Sequence, residues 1–215
     1  MILDNETAEP FDHPPITFRQ VFIDIWAYPR KTHELLYHQE FDKHFYGLLA
    51  IAGMVNYSNR VFLNAEDYLG LSEWMWWVIK GCVFGMMTSF VWASILSFTG
   101  SWIGGKGDFF GVLRAISYSS IPLVPAFILA ILQVILGYQS IQATDEGILT
   151  GLNIAFAICG IAMAILWIWN LVLIIIGISV VHQFSVLKSI LTVIIPFIIL
   201  FIVLYIAIGS SAFMN

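Results

Sequence analysis

The chain has 215 residues, 60% of them apolar and 11% charged, with a net charge of −5. Soluble domains run near half apolar and a quarter charged, so this composition excludes an ordinary water-soluble core. The modest acidity argues against nucleic acid as a partner. Two cysteines, Cys82 and Cys159, both inside apolar stretches, exclude a disulfide framework and a cysteine-based metal cluster.

Residues 1–43 are polar and contain acids, prolines and four Lys/Arg, without the apolar stretch of a cleavable signal. Within them Phe18, Val21, Phe22, Ile25 and Trp26 recur at i, i+3, i+4, i+7 and i+8, one face of a helix. Thr17 and Gln20 have capping-box spacing, and Pro29 is a stop. With Arg19, Arg30 and Lys31 alongside, this amphipathic helix is expected to lie flat at the inner leaflet. The alternative is that its apolar face packs on the other helices of the same chain. A second helix is expected from Thr32, and it places Glu34, His38 and Asp42 on one face. Such a stripe could hold a divalent metal, but it more commonly faces solvent. His33-Glu34-Leu35-Leu36 begins like the zincin motif, yet the next histidine, His38, falls at i+5. That turns it about 140° away from the first on a helix, so no zinc pair forms.

The fold class expected is all-α, a polytopic transmembrane bundle of five spans near residues 44–62, 74–98, 113–136, 148–181 and 188–209. About 20 apolar residues cross a bilayer core. The last span is the clearest, since 15 of the 19 residues Ile190–Ile208 are Ile, Leu, Val or Phe. The fourth is longer than one perpendicular crossing and must tilt or project. The first is the weakest, because Asn56-Tyr57-Ser58-Asn59-Arg60 interrupts it. Charge favours counting it. With five spans and an inner N-terminus, Arg19, Arg30, Lys31, Lys43, Lys106, Arg114 and Lys188 lie inside, and only Arg60 and Lys80 outside. Trp74, Trp76 and Trp77 then form an aromatic belt where the second span enters.

Three features inside the spans carry the remaining signals. Gly81 and Gly85 make a G-x-x-x-G step that permits close contact within or between chains, so a homo-oligomer is one expected state. Pro122 and Pro125 kink the third span and free the carbonyls of Tyr118 and Ile121, beside Ser117-Tyr118-Ser119-Ser120. Pro196 frees that of Thr192 in the same way. Asn170, between Trp169 and Leu171, is either a tie between helices or part of a substrate path. Gly100 to Gly107 nearly spells a phosphate-binding loop, but Gly107 stands where the hydroxyl residue belongs and no strand precedes it. No catalytic motif remains, and no cofactor or metal is expected. Lys106, Asp108, Arg114, His182 and Lys188 should form an exposed cytoplasmic surface for protein partners or anionic lipid.

Pro29-Arg30 after the amphipathic helix, the loop Thr99-Gly100-Ser101-Trp102 through Gly107-Asp108-Phe109, then Ser117-Tyr118-Ser119-Ser120-Ile121-Pro122, Trp169, Gly177 and His182-Gln183-Phe184-Ser185 occur in one order. This set resembles the Ypt-interacting-protein (YIP) family of membrane domains over roughly residues 18–210. The resemblance implies a five-helix membrane fold with a cytosolic N-terminus. Eukaryotic members bind prenylated Rab-type GTPases and act in vesicle traffic and Golgi organisation, through a longer N-terminal region whose motifs have no counterpart here. The compact form is similar to bacterial members, and the family supplies no catalytic residues to carry over. The expectation is a non-enzymatic protein of the cell membrane, N-terminus cytoplasmic and C-terminus outside, organising partners or lipids at the cytoplasmic leaflet. The rivals are a small transporter, channel or lipid scramblase built around Asn170, and a metalloenzyme using Glu34, His38 and Asp42.

Overall fold

The computed structural model describes residues 17–37, 44–63 and 71–212, and every regular element among them is a helix. In chain order these are α1 (Phe18–Ala27), α2 (Pro29–Tyr37), α3 (His44–Leu63), α4 (Leu71–Trp102), α5 (Phe109–Ser119), α6 (Leu123–Gln142), α7 (Glu146–Val181) and α8 (Val186–Ala212). Four stretches are long and apolar enough to cross a bilayer: Met75–Trp102, Leu123–Ser140, Glu146–Val181 and Val186–Ile206. Helix α3 has the length but not the hydropathy.

The capping box forms as expected. The Gln20 amide donates to Thr17 Oγ1 and the Thr17 amide donates to Gln20 Oε1. Helix α2 begins at Pro29 rather than Thr32, because the first helical position needs no backbone donor and favours proline's fixed φ. Thr32 Oγ1 then donates to the Tyr28 carbonyl across the junction.

The centre of the amphipathic face packs on the chain's own helices. Val21 and Ile25 are buried, packed with Leu36, Leu48, Tyr118, Ile121 and Leu173. Phe18 and Phe22 close the edge of that cluster, and Phe18 stacks on the His44 ring. Apolar periodicity reports burial but cannot say whether lipid or protein does the burying. Here the protein covers Val21 and Ile25, while Trp26 of the same face is exposed, as are Ile23 and the capping residue Tyr28.

Helices α3 and α4 form an antiparallel pair. Phe45 and Leu49 share a cluster with Ala93 and Leu96, Gly53 meets Gly81 and Gly85, and Tyr57 packs near Trp77. A Cβ on Gly53 would overlap the Gly81 carbonyl and the Gly85 Cα. The G-x-x-x-G step is therefore spent inside the chain. Trp77 also departs from the aromatic-belt expectation, being buried and stacked on Phe127, while Trp76 stays exposed.

The third span is two helices rather than one kinked rod. Pro122 lacks an N–H and would clash with the Tyr118 carbonyl, so α5 stops at Ser119. The turn tightens into i→i+3 bonds, from Ser120 to Ser117 and from Ile121 to Tyr118. Helix α5 is buried on nearly every side, and the crossing begins at Leu123. Helix α7 shows a lipid-facing stripe, Ile154, Ile158, Ile161, Ile165 and Ile168, opposite Cys159, Met163, Asn170 and Leu173. Pro196 lies inside α8, and the Thr192 carbonyl that it frees lies 3.2 Å from Thr99 Oγ1, which shares its proton with the Ile95 carbonyl at 2.9 Å. Beyond Pro196, Phe197 still packs on Trp92, and every side chain from there to Ile206 is exposed.

Candidate functional site at the loop end of the bundle

The glycine run and the turn after α7 meet at one end of the bundle. Helix α7 ends in a Schellman motif: the Phe184 amide bonds the Ser179 carbonyl, the Gln183 amide bonds that of Val180, and Gln183 takes φ +55°. That turn directs His182 inward, where it is 1% exposed. Its ring stacks on Phe184 with centroids 5.2 Å apart and planes 3° from parallel. A Cβ at Gly100 or Gly105 would overlap the imidazole, and one at Gly107 would come within 2.9 Å of Nδ1. The Gly107 amide donates to His182 Nδ1 at 3.1 Å, and the Lys106 amide donates to the His182 carbonyl. Because Nδ1 accepts, the neutral ring carries its proton on Nε2. Burial pushes the imidazole below its ordinary value, opposed by the Leu96 backbone and Asp108. The run that resembles a phosphate-binding loop thus clears space for a ring.

Arg114 is also turned inward. Its Nη1 donates to the carbonyls of Leu36 and Tyr37, each at 3.0 Å. A cation on the last carbonyls of α2 complements the negative end of that helix and ties it to α5. Burial lowers the guanidinium pKa from its usual value, while Tyr118, Asp108 and Tyr37 oppose the change. Asp108 caps α5 by accepting from the Gly111 amide at 3.2 Å. So two of the residues expected on an exposed polar surface, Arg114 and His182, are structural ties. Arg30, Lys106, Asp108 and Lys188 are exposed. Arg30 pairs with Glu34 at 3.0 Å and borders a 480 Å³ basin with Ser179, Gln183, Phe184 and Ser185.

A third polar cluster sits under α2. Ser117 Oγ donates to the Phe45 carbonyl at 2.8 Å, beside buried Tyr118. Asn170 Nδ2 donates at 2.8 Å to the Ser119 carbonyl, which the helix break leaves without an intrahelical donor. His33 Nε2 lies 3.4 Å from Ser119 Oγ, and its ring is buried against Gly177. Burial lowers its pKa to about 4, against the contrary pull of the Leu173 backbone. Sequence reading used His33 only to reject a zinc motif. The available signal was its place beside Thr32 and one turn before Leu36, the buried side of α2. Glu34 points outward, and His38 and Asp42 lie outside the described residues.

Long apolar crossings joined by two interlocked polar loops define a multi-pass helical membrane protein. A family model, the Yip1 domain, matches residues 23–208, and the chain belongs to that family. Among curated proteins and solved structures, none matches it.

Proposed function

We propose that this Yip1-domain protein is a non-enzymatic membrane scaffold whose loop end faces the cytoplasm and gathers protein partners or lipids there. The observation that carries the reading is the outward face of the docked N-terminal helices. They offer Ile23, Trp26 and Tyr28 beside Arg30 and Lys31, next to the basin at Gln183–Ser185. Aromatic and aliphatic anchors rimmed by cations suit both a partner surface and an anionic headgroup layer.

Five crossings fit this reading. Helix α3 runs antiparallel to α4 along most of its apolar length, so it traverses the same slab shielded by its neighbour. The passes α3, α4, α6, α7 and α8 then place the two termini on opposite sides. Arg30, Lys31, Lys106, Arg114 and Lys188 gather toward the loop end, while Lys80 lies toward the other, and the positive-inside rule makes the loop end cytoplasmic.

The test is an Ile23→Asp, Trp26→Asp double variant, measured by flotation with anionic vesicles for its soluble contacts and by pull-down in detergent. These residues are exposed, whereas Phe22 supports the buried cluster and its substitution would confuse folding with binding. Selective loss of capture with an unchanged melting profile is expected. Unchanged capture in both assays sinks the proposal, as do terminal tags found on one side of the membrane.

A further inference from the structure

A cavity of about 670 Å³ opens between α4, α7 and α8, with Ser89, Trp92, Ser120, Asn170, Ile174 and Phe197 on its walls. It runs along α4 from Phe84 to Leu96, about 18 Å at the helical rise. Most of its wall belongs to membrane-crossing stretches of these three helices, while Ala52 and Asn56 of α3 and Ile116 of α5 also line it, so it opens chiefly to hydrocarbon.

Its polar groups are unequal. Thr88 donates to the Phe84 carbonyl, Ser120 to that of Ile116 and Asn56 to that of Ala52, each within its own helical segment. Asn170 uses its amide nitrogen on Ser119 but is only 5% exposed, and its carbonyl oxygen has no protein donor among the described residues. The Ser89 hydroxyl, on a residue 9% exposed, likewise makes no hydrogen bond there. An unpaired carbonyl and hydroxyl at membrane depth are costly unless something bonds them.

We infer that this cavity is a binding site for an uncharged, small-headed lipid carrying a hydroxyl group, held by Ser89 and Asn170 with its chain laid along α4. The Asn170 carbonyl needs a donor and the Ser89 hydroxyl an acceptor, a pair of needs that a hydroxyl-bearing lipid meets and an ester carbonyl alone does not. No Lys, Arg, Asp or Glu lines the cavity, so a charged headgroup would find no counter-ion. Asn170 lies 11 residues before the end of α7, about 16 Å along its axis. The inference needs only the membrane embedding of these helices and stands apart from the scaffold reading.

The experiment uses the full chain in neutral phosphatidylcholine vesicles with a diazirine-bearing diacylglycerol, crosslinks being mapped by mass spectrometry. Labelling of Trp92, Ile174 and Phe197 should saturate, and unlabelled diacylglycerol should displace it while added phosphatidylcholine does not. Labelling of Phe201–Tyr205, in open lipid, should not saturate. Ser89→Ala should weaken half-saturation about fivefold, the loss of one hydrogen bond, and Ser89→Phe should block the cavity labels while leaving those at Phe201–Tyr205. Non-saturating labels at the cavity, or equal displacement by phosphatidylcholine, would overturn the inference. Both of those readings come from the unmodified protein and do not depend on whether a variant folds.

Discussion

The Thr99 hydroxyl sits 3.2 Å from the Thr192 carbonyl, whose helical donor Pro196 has removed. The same hydroxyl lies 2.9 Å from the Ile95 carbonyl of its own helix, so its one proton is shared between α4 and the acceptor that proline frees on α8. Thr99→Val should cost about 1 kcal/mol, the usual worth of a buried hydrogen bond. In a Pro196→Ala background the cost should shrink, because residue 196 can then donate to Thr192. A double-mutant cycle on unfolding in mixed micelles reads the coupling, and an undiminished cost in that background would break the link.

Gly105→Ala should destabilise the loop end by about 1–3 kcal/mol, the range for overpacking, since its Cβ would overlap the His182 ring. Gly151→Ala is the matched control. Nothing lies within 4 Å of a Cβ there, and a helical alanine should be neutral or stabilising. Thermal unfolding in detergent ranks the two. Equal effects would mean the cradle does not constrain the ring.

His33 makes stability fall in acid. Its folded pKa is lowered from 6.5 to about 4, so the unfolded chain takes up a proton that the folded one resists. The contribution is complete above pH 6.5 and is lost as pH drops toward 4, by about 3 kcal/mol over that interval. His182, also lowered, acts in the same direction. His33→Gln should flatten the acid limb of a stability–pH profile. A limb of unchanged slope would assign the acid sensitivity elsewhere.

Gln183 occupies the left-handed region at φ +55°, where a side chain is disfavoured and glycine is not. Gln183→Gly should stabilise the protein by about 1 kcal/mol, and Gln183→Val should destabilise it. Denaturant midpoints measure both. A destabilising glycine would show that the Gln183 side chain contributes more than its backbone strain removes.

Much of this was readable along the chain. The bilayer selects long apolar runs, so α4, α7 and α8 were evident from composition, and the Thr17–Gln20 cap and the carbonyl freed by Pro196 follow from local stereochemistry. The break at Ser120–Pro122 was seen only as a kink. Sequence shows that Pro122 removes a donor, but whether the helix bends or ends depends on outside partners, here Asn170 for the Ser119 carbonyl.

Local chemistry by itself therefore determined that the chain is helical and membrane-embedded. Only tertiary structure decided what faces what. Periodicity marked Val21 and Ile25 as buried without naming the neighbour, and the glycine run could be denied a phosphate without revealing that it cradles the His182 ring. The reason is physical. Helix formation and insertion are decided within a few turns of chain, whereas the partner of a buried group is fixed by atoms as remote in sequence as Gly107 and His182.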